Sequence, residues 1–111
     1  MKTVGVAILG LGVVGSGTYK ILRDHREFYR QTQGVDLNVE CVLEINRQRA
    51  LDLGIEESRI YDNIAEVVGN PNVDIVVEVI GGVEPAKSFV LAALHGGKSV
   101  VTSNKELFCK Y

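Results

Sequence analysis

Positions 3–9, Thr3-Val4-Gly5-Val6-Ala7-Ile8-Leu9, are apolar on both faces, which predicts a central parallel strand. A second pattern takes over at once. Val14, Thr18, Ile21, His25 and Phe28 recur at steps of four, three, four and three, predicting a helix from about Val13 to Arg30 with that line facing inward. Ser16, Lys20, Asp24 and Glu27 lie off it, and Gln31-Thr32-Gln33-Gly34 is a polar break. Leu37 to Glu44 then reads as strand 2, Val39, Cys41 and Leu43 alternating against Asn38, Glu40 and Val42.

The remaining chain repeats the alternation. Asn46 to Leu53 suggests a short helix stopped by Gly54, and Arg59-Ile60-Tyr61 a short edge strand. Asp62 or Asn63 caps a helix with Ile64, Val67 and Val68 inward, and Asn63 and Glu66 have capping-box spacing. Asp74 to Ile80 is a buried strand. Pro85 opens a helix whose inner face is Phe89, Val90, Ala93 and Leu94. Ser99 to Thr102 is a last strand, and Ser103-Asn104-Lys105-Glu106 opens a partial final helix. Strands alternating with helices predict an α/β, doubly wound parallel sheet of five strands in order 3-2-1-4-5, a Rossmann-type nucleotide-binding architecture.

Composition narrows the picture. The 111 residues suffice for one domain, 46% are hydrophobic and 23% charged, and no internal repeat interrupts them. A net charge of −2 without a basic block argues against a nucleic-acid partner. Cys41 and Cys109 lack metal-ligand spacing, form no disulfide framework, and read as reduced thiols. Residues 4–15 resemble a signal-peptide core, yet they are glycine-rich, carry no cleavage site and are too short for a bilayer. The expectation is a soluble cytoplasmic protein with no membrane partner and no metal.

The candidate chemistry sits where strands end. Gly10-Leu11-Gly12-Val13-Val14-Gly15 fits Gly-x-Gly-x-x-Gly between a strand and a helix. Gly10 allows the tight turn, Gly12 lets a pyrophosphate approach the backbone, Gly15 lets the helix lie close on the sheet, and the first helical amides point at the ligand. Ile80-Gly81-Gly82 after strand 4 can pass close to a nicotinamide ribose. Thr102-Ser103-Asn104-Lys105 after strand 5 ends on the same edge, where Lys105 can reach a phosphate, a ribose hydroxyl or a substrate oxygen. At the end of strand 2, Glu44 favours NAD through ribose hydroxyls, whereas Arg47 and Arg49 can accept the 2′-phosphate of NADP; the balance leans to NADP with NAD retained. Glu78 stands equally as a ligand-facing acid or a structural one. Glu84 reads as a helix cap, Cys109 as a buried thiol and His25 as a helix-end residue.

Four segments together resemble the N-terminal cofactor domain of homoserine dehydrogenases. They are Gly10-Leu11-Gly12-Val13-Val14-Gly15-Ser16-Gly17 with Tyr19-Lys20-Ile21-Leu22, the run Val76-Val77-Glu78-Val79-Ile80-Gly81-Gly82-Val83-Glu84-Pro85-Ala86, the stretch Ala92 to Val101, and Thr102-Ser103-Asn104-Lys105-Glu106-Leu107. The resemblance implies NAD(P)H-dependent reduction of aspartate semialdehyde to homoserine, in the aspartate route to threonine, methionine and isoleucine. It also implies that Gly10 to Gly15 cradle the pyrophosphate and that Lys105 binds cofactor near the reacting centre in an assisting role. The second catalytic lysine and the acids that bind the amino-acid substrate would lie in a substrate and dimerisation domain beyond residues 1–111, in a homo-oligomeric enzyme. No other catalytic residue is expected in this span. Ser103 replaces the family's usual alanine, and the segment after Glu44 is two residues shorter than in relatives. The alternatives are a stand-alone NAD(P)-binding regulatory module and another amino-acid dehydrogenase, such as one acting on aspartate.

Overall fold

A computed structural model describes residues 1–80 and 85–102. Its elements run β1 (Lys2–Leu9), α1 (Val13–Asp24), α2 (Arg26–Gln33), β2 (Val35–Leu43), α3 (Arg47–Asp52), β3 (Ile60–Tyr61), α4 (Ile64–Val68), β4 (Ile75–Glu78), α5 (Ala86–His95) and β5 (Ser99–Thr102). The sheet has five strands, all parallel, in order β3-β2-β1-β4-β5. The predicted architecture and strand order are therefore those observed. The partial helix after Thr102, the Gly81-Gly82 turn and Cys109 lie outside the described residues.

Alternation along β1 builds the two cores. Ala7 and Leu9 face Cys41, Leu43, Val67, Val76 and Ala93 on one side of the sheet. Val6 and Ile8 face Leu11, Val42, Ala50 and Ile55 on the other. Strand β1 is thus buried on both faces, as a strand with helices above and below must be.

One irregularity sets the geometry of the functional edge. Val6 pairs with Val39 but Ala7 with Cys41, so Glu40 is an extra residue in β2. Downstream of it Leu9 lies opposite Leu43, and Gly10 N donates to Leu43 O at 2.9 Å. The shift brings Glu44 alongside the glycine turn.

The helix after that turn differs from its sequence pattern in two ways. It breaks at His25 into α1 and α2, and it presents a different face. Gly15 is buried, Tyr19, Leu22 and Arg26 are partly buried, and Val14, Ile21 and Phe28 are 57%, 53% and 58% exposed. The cause is Gly15. A Cβ there would stand 1.8 Å from Gly10 O, so at this residue the helix lies directly against the turn out of β1. At 3.6 residues per turn the sheet-facing line then continues through positions 19, 22 and 26, which rotates Val14 and Ile21 outward. In α5 the buried line is Ala86, Val90 and Ala93, and Leu94, expected inside, is 53% exposed.

Caps fix the short helices. Asn46 Oδ1 accepts from Gln48 N, and Asn63 Oδ1 accepts from Glu66 N at 3.0 Å. Glu66 reaches back to Asp62 N rather than to Asn63. Helix α2 buries no residue and is pinned at its start by Arg26, whose Nε and Nη2 donate to the two oxygens of Asp36 at 2.6 and 2.8 Å.

Candidate dinucleotide site

The site begins at the turn out of β1. Gly10 has φ +95°, a conformation that favours glycine, and a Cβ there would also meet Ile80 Cγ1 at 2.9 Å. Gly12 is the N-cap of α1, exposed, with extended backbone (φ −70°, ψ −157°). Among the described residues, its chain neighbours aside, no atom lies within 4 Å of the position its Cβ would take. The first helical bond runs from Ser16 N to Gly12 O at 2.9 Å, so the amides of Val13, Val14 and Gly15 precede the intrahelical ladder. These donors, together with the positive end of α1 and an empty cradle at Gly12, suit an anion the size of a pyrophosphate.

The loop is held from three directions. Leu11 N donates to Glu44 Oε1 at 2.7 Å, Ser16 Oγ donates to Leu11 O at 2.9 Å, and Val79 N donates to Leu9 O at 3.1 Å. Glu44 is 8% exposed, and its second oxygen accepts from Asn46 N at 2.8 Å. The sequence reading of Glu44 as a ribose acid missed this second use. Two amides occupy one lone-pair site on each oxygen, and a carboxylate has about four such sites, so acceptor capacity remains for hydroxyl donors.

A groove of about 410 Å³ opens beside the loop, lined by Gly10, Leu11 and Gly12, by Glu44 and Arg49, and by Val79, Ile80 and Phe89 on the far side. It adjoins a shallower one past the start of α1, where Arg49 and Lys20 stand. Of the sequence-picked residues, the structure brings Gly10, Leu11, Gly12, Glu44 and Ile80 together. Val13 borders the second groove and Val14 is exposed on α1. Gly15 is buried under the turn, serving helix packing. Arg47 does not line the groove, and its guanidinium is engaged: Nη1 donates to Asp62 Oδ1 at 2.7 Å, a carboxylate that itself lines the groove, and to Ile60 O at 3.4 Å. Arg49, two residues on, lines the groove instead and has no ion pair among the described residues. Gly81, Gly82, Ser103 and Lys105 lie outside the described residues.

A profile of the family described as "Homoserine dehydrogenase, NAD binding domain" matches residues 10–111. The chain belongs to that family. It is 37% identical over 111 residues to the homoserine dehydrogenase of Bacillus subtilis, covering all of this chain and 26% of the relative. The Mycobacterium leprae homoserine dehydrogenase is 43% identical over 106 residues, 96% of this chain and 24% of the relative. The crystal structure of a homoserine dehydrogenase from Thiobacillus denitrificans superposes with a TM-score of 0.87 at 42% identity, over 100% of this chain and 26% of that one. The chain thus spans about a quarter of the length of these relatives. As a member of this NAD-binding family it is a domain for NAD(P).

Other features of the molecule point elsewhere. A cavity of about 290 Å³ between α1 and β2 carries Arg23, Arg26 and Arg59. Asp24 pairs with Arg23, Asp36 with Arg26, and Glu56 lines the cavity beside Arg59, so it offers no net field for an anion. Burial pushes the Cys41 thiol up to about 12, which leaves no thiolate at neutral pH. Among the described residues no His, Cys, Asp and Glu cluster is placed to hold a metal ion, and no helix is long and apolar enough to cross a membrane.

Proposed function

We propose that residues 1–111 are the cofactor domain of a homoserine dehydrogenase, which in its complete form reduces aspartate semialdehyde to homoserine with NAD(P)H. Family membership supports the reaction. The observation that carries the cofactor role is the glycine turn, its Leu11 amide locked to Glu44 and its Gly12 face left open. The substrate and dimerisation domain of the homo-oligomeric enzyme belongs to chain outside this span. The amides of Val13 to Gly15 would hold the pyrophosphate, Glu44 the adenosine ribose, and Ile80 with Gly81 and Gly82 the nicotinamide half. The bound dinucleotide supplies the hydride. Lys105 is the cation of this span for the reacting end, where its charge stabilises oxyanion character at the substrate carbonyl.

The same geometry bears on NAD against NADP. Arg47, one of the two arginines on which an NADP preference would rest, spends its guanidinium on Asp62. Glu44 keeps a buried carboxylate at the ribose end. Two unit charges about 5 Å apart at an effective dielectric near 20 repel by about 3 kcal/mol, so a 2′-phosphate there works against Glu44. Arg49 is the groove's counterweight. We infer use of NAD in preference, with NADP admitted through Arg49.

The test is Gly12→Val in this domain, titrated with reduced dinucleotide by calorimetry. No described residue crowds the position of a Gly12 Cβ, so the variant is expected to fold, and the new side chain fills the cradle, so binding is lost. Unchanged affinity in a folded variant overturns the assignment.

A further inference from the structure

Glu78 is the last residue of β4 and is fully buried, at 0% exposure. A carboxylate in that position is costly unless its oxygens are satisfied. Both are. Oε2 accepts from Ile80 N at 2.6 Å, and Oε1 accepts from Thr102 Oγ1 at 2.5 Å. Glu78 lies between Leu9, its register partner on β1, and Thr102, its register partner on β5. Burial and full engagement leave it no surface for a ligand.

Its pattern repeats that of Glu44. Each carboxylate closes the end of a parallel strand by accepting, on one oxygen, the amide two residues further on: Asn46 N for Glu44, Ile80 N for Glu78. Each accepts on the other oxygen a donor from a neighbouring strand's end: Leu11 N for Glu44, Thr102 Oγ1 for Glu78. Glu44 thereby fixes the turn that faces the pyrophosphate. Glu78 fixes the two points from which Gly81-Gly82 and Ser103-Asn104-Lys105 depart in sequence. It also sets Ile80, which lines the groove and whose Cγ1 stands within 2.9 Å of where a Gly10 Cβ would be.

We propose that Glu78 is a positioning residue for the nicotinamide half of the dinucleotide, acting through Ile80 and Thr102, as Glu44 acts on the pyrophosphate half through Leu11. The proposal rests on the cofactor-domain reading above. It makes a separable statement, because ADP occupies only the half governed by Glu44 and the glycine turn, whereas NADH occupies both.

The experiment titrates the chain and its variants with ADP and with NADH, following folding by circular dichroism. Glu78→Leu puts an apolar side chain of similar size in the core but removes the carboxylate that accepts from Ile80 N and the Thr102 hydroxyl. Glu78→Gln restores the connection, because its amide oxygen accepts from Ile80 N and its Nε2 donates to Thr102 Oγ1. Expected is a roughly tenfold weaker NADH affinity in Glu78→Leu, the scale of a lost hydrogen bond, with ADP affinity within about twofold of wild type and Glu78→Gln close to wild type for both. Thr102→Val provides the same test from the other partner and is expected to follow Glu78→Leu. Equal loss of ADP and NADH affinity in the folded variants would make Glu78 merely structural, and unchanged NADH affinity would disconnect it from the nicotinamide half. Wild-type chain that binds neither compound would overturn the cofactor-domain reading and this proposal with it, an outcome distinct from the other two.

Discussion

The amide of Leu11 and the carboxylate of Glu44, 33 positions apart, meet at 2.7 Å. The contact ties the glycine turn after β1 to the end of β2, so the shape of the turn depends on a strand that forms later in the chain. Glu44 holds Asn46 N with its other oxygen, and both bonds run from backbone amides to an acceptor-only group.

Glu44→Gln therefore replaces one acceptor oxygen with an amide group that faces a backbone N–H. One of Leu11 N and Asn46 N loses its partner in a buried setting. The expected loss of stability is about 1–3 kcal/mol, the cost of stranding a buried donor. Urea unfolding checks it. Removal of the negative charge should also raise the NADP/NAD affinity ratio, which dinucleotide titration reads in the same variant.

Gly12 and Gly15 look alike in the motif and should behave oppositely. A Cβ at Gly15 would sit 1.8 Å from Gly10 O, whereas one at Gly12 meets nothing within 4 Å among the described residues. Gly15→Ala should force α1 off the sheet and lower stability by about 2 kcal/mol or more, in the range of overpacked sites. Gly12→Ala should leave the melting temperature nearly unchanged and weaken only the ligand.

The arginines after β2 should separate in the same way. Arg49 lines the groove, and Arg47 is held by Asp62. Arg49→Ala should reduce NADP affinity several-fold, about 1 kcal/mol for an exposed charge pair, with NAD affinity little changed. Arg47→Ala should leave the ratio of the two cofactors within about twofold. A ratio that responds to Arg47 and not to Arg49 would reverse the assignment.

Helix α2 offers a pH test. The hydrogen bonds from Arg26 hold the Asp36 carboxyl below its ordinary value. A carboxylate with a lowered folded pKa contributes stability that is fully present above the unfolded value, about 3.9, and is lost as pH falls through the folded value. Since α2 buries no residue, its amides should exchange faster on acidification below about pH 4, ahead of the sheet. Asp36→Asn should produce that fraying at neutral pH, with a stability loss of about 1 kcal/mol. Hydrogen exchange of α2 in the two proteins is the measurement.

Much of this molecule is readable along the chain because its signals are local. The apolar run before Gly10, the glycine spacing and the alternation of strand and helix patterns need only neighbours a few residues away, and short right-handed crossovers convert that order into the sheet β3-β2-β1-β4-β5. The expectation that the glycine turn forms the ligand edge rests on the same information. The inward face of α1 does not. Apolar spacing favours Val14, Ile21 and Phe28, but the 1.8 Å constraint at Gly15 against Gly10 O rotates the helix to Tyr19, Leu22 and Arg26. Nor can spacing distinguish Arg47 from Arg49, since Asp62, 15 positions away, captures the first. The uses of the two buried carboxylates were likewise decided in three dimensions. Glu44 meets Leu11 only after the extra residue at Glu40 sets the β1–β2 register, and Glu78 meets Thr102, 24 positions on, only when β4 pairs with β5. A side chain's periodicity reports which elements form. The identity of its hydrogen-bond partner depends on which strand ends the sheet brings within 3 Å, and that distance exists only in the folded state.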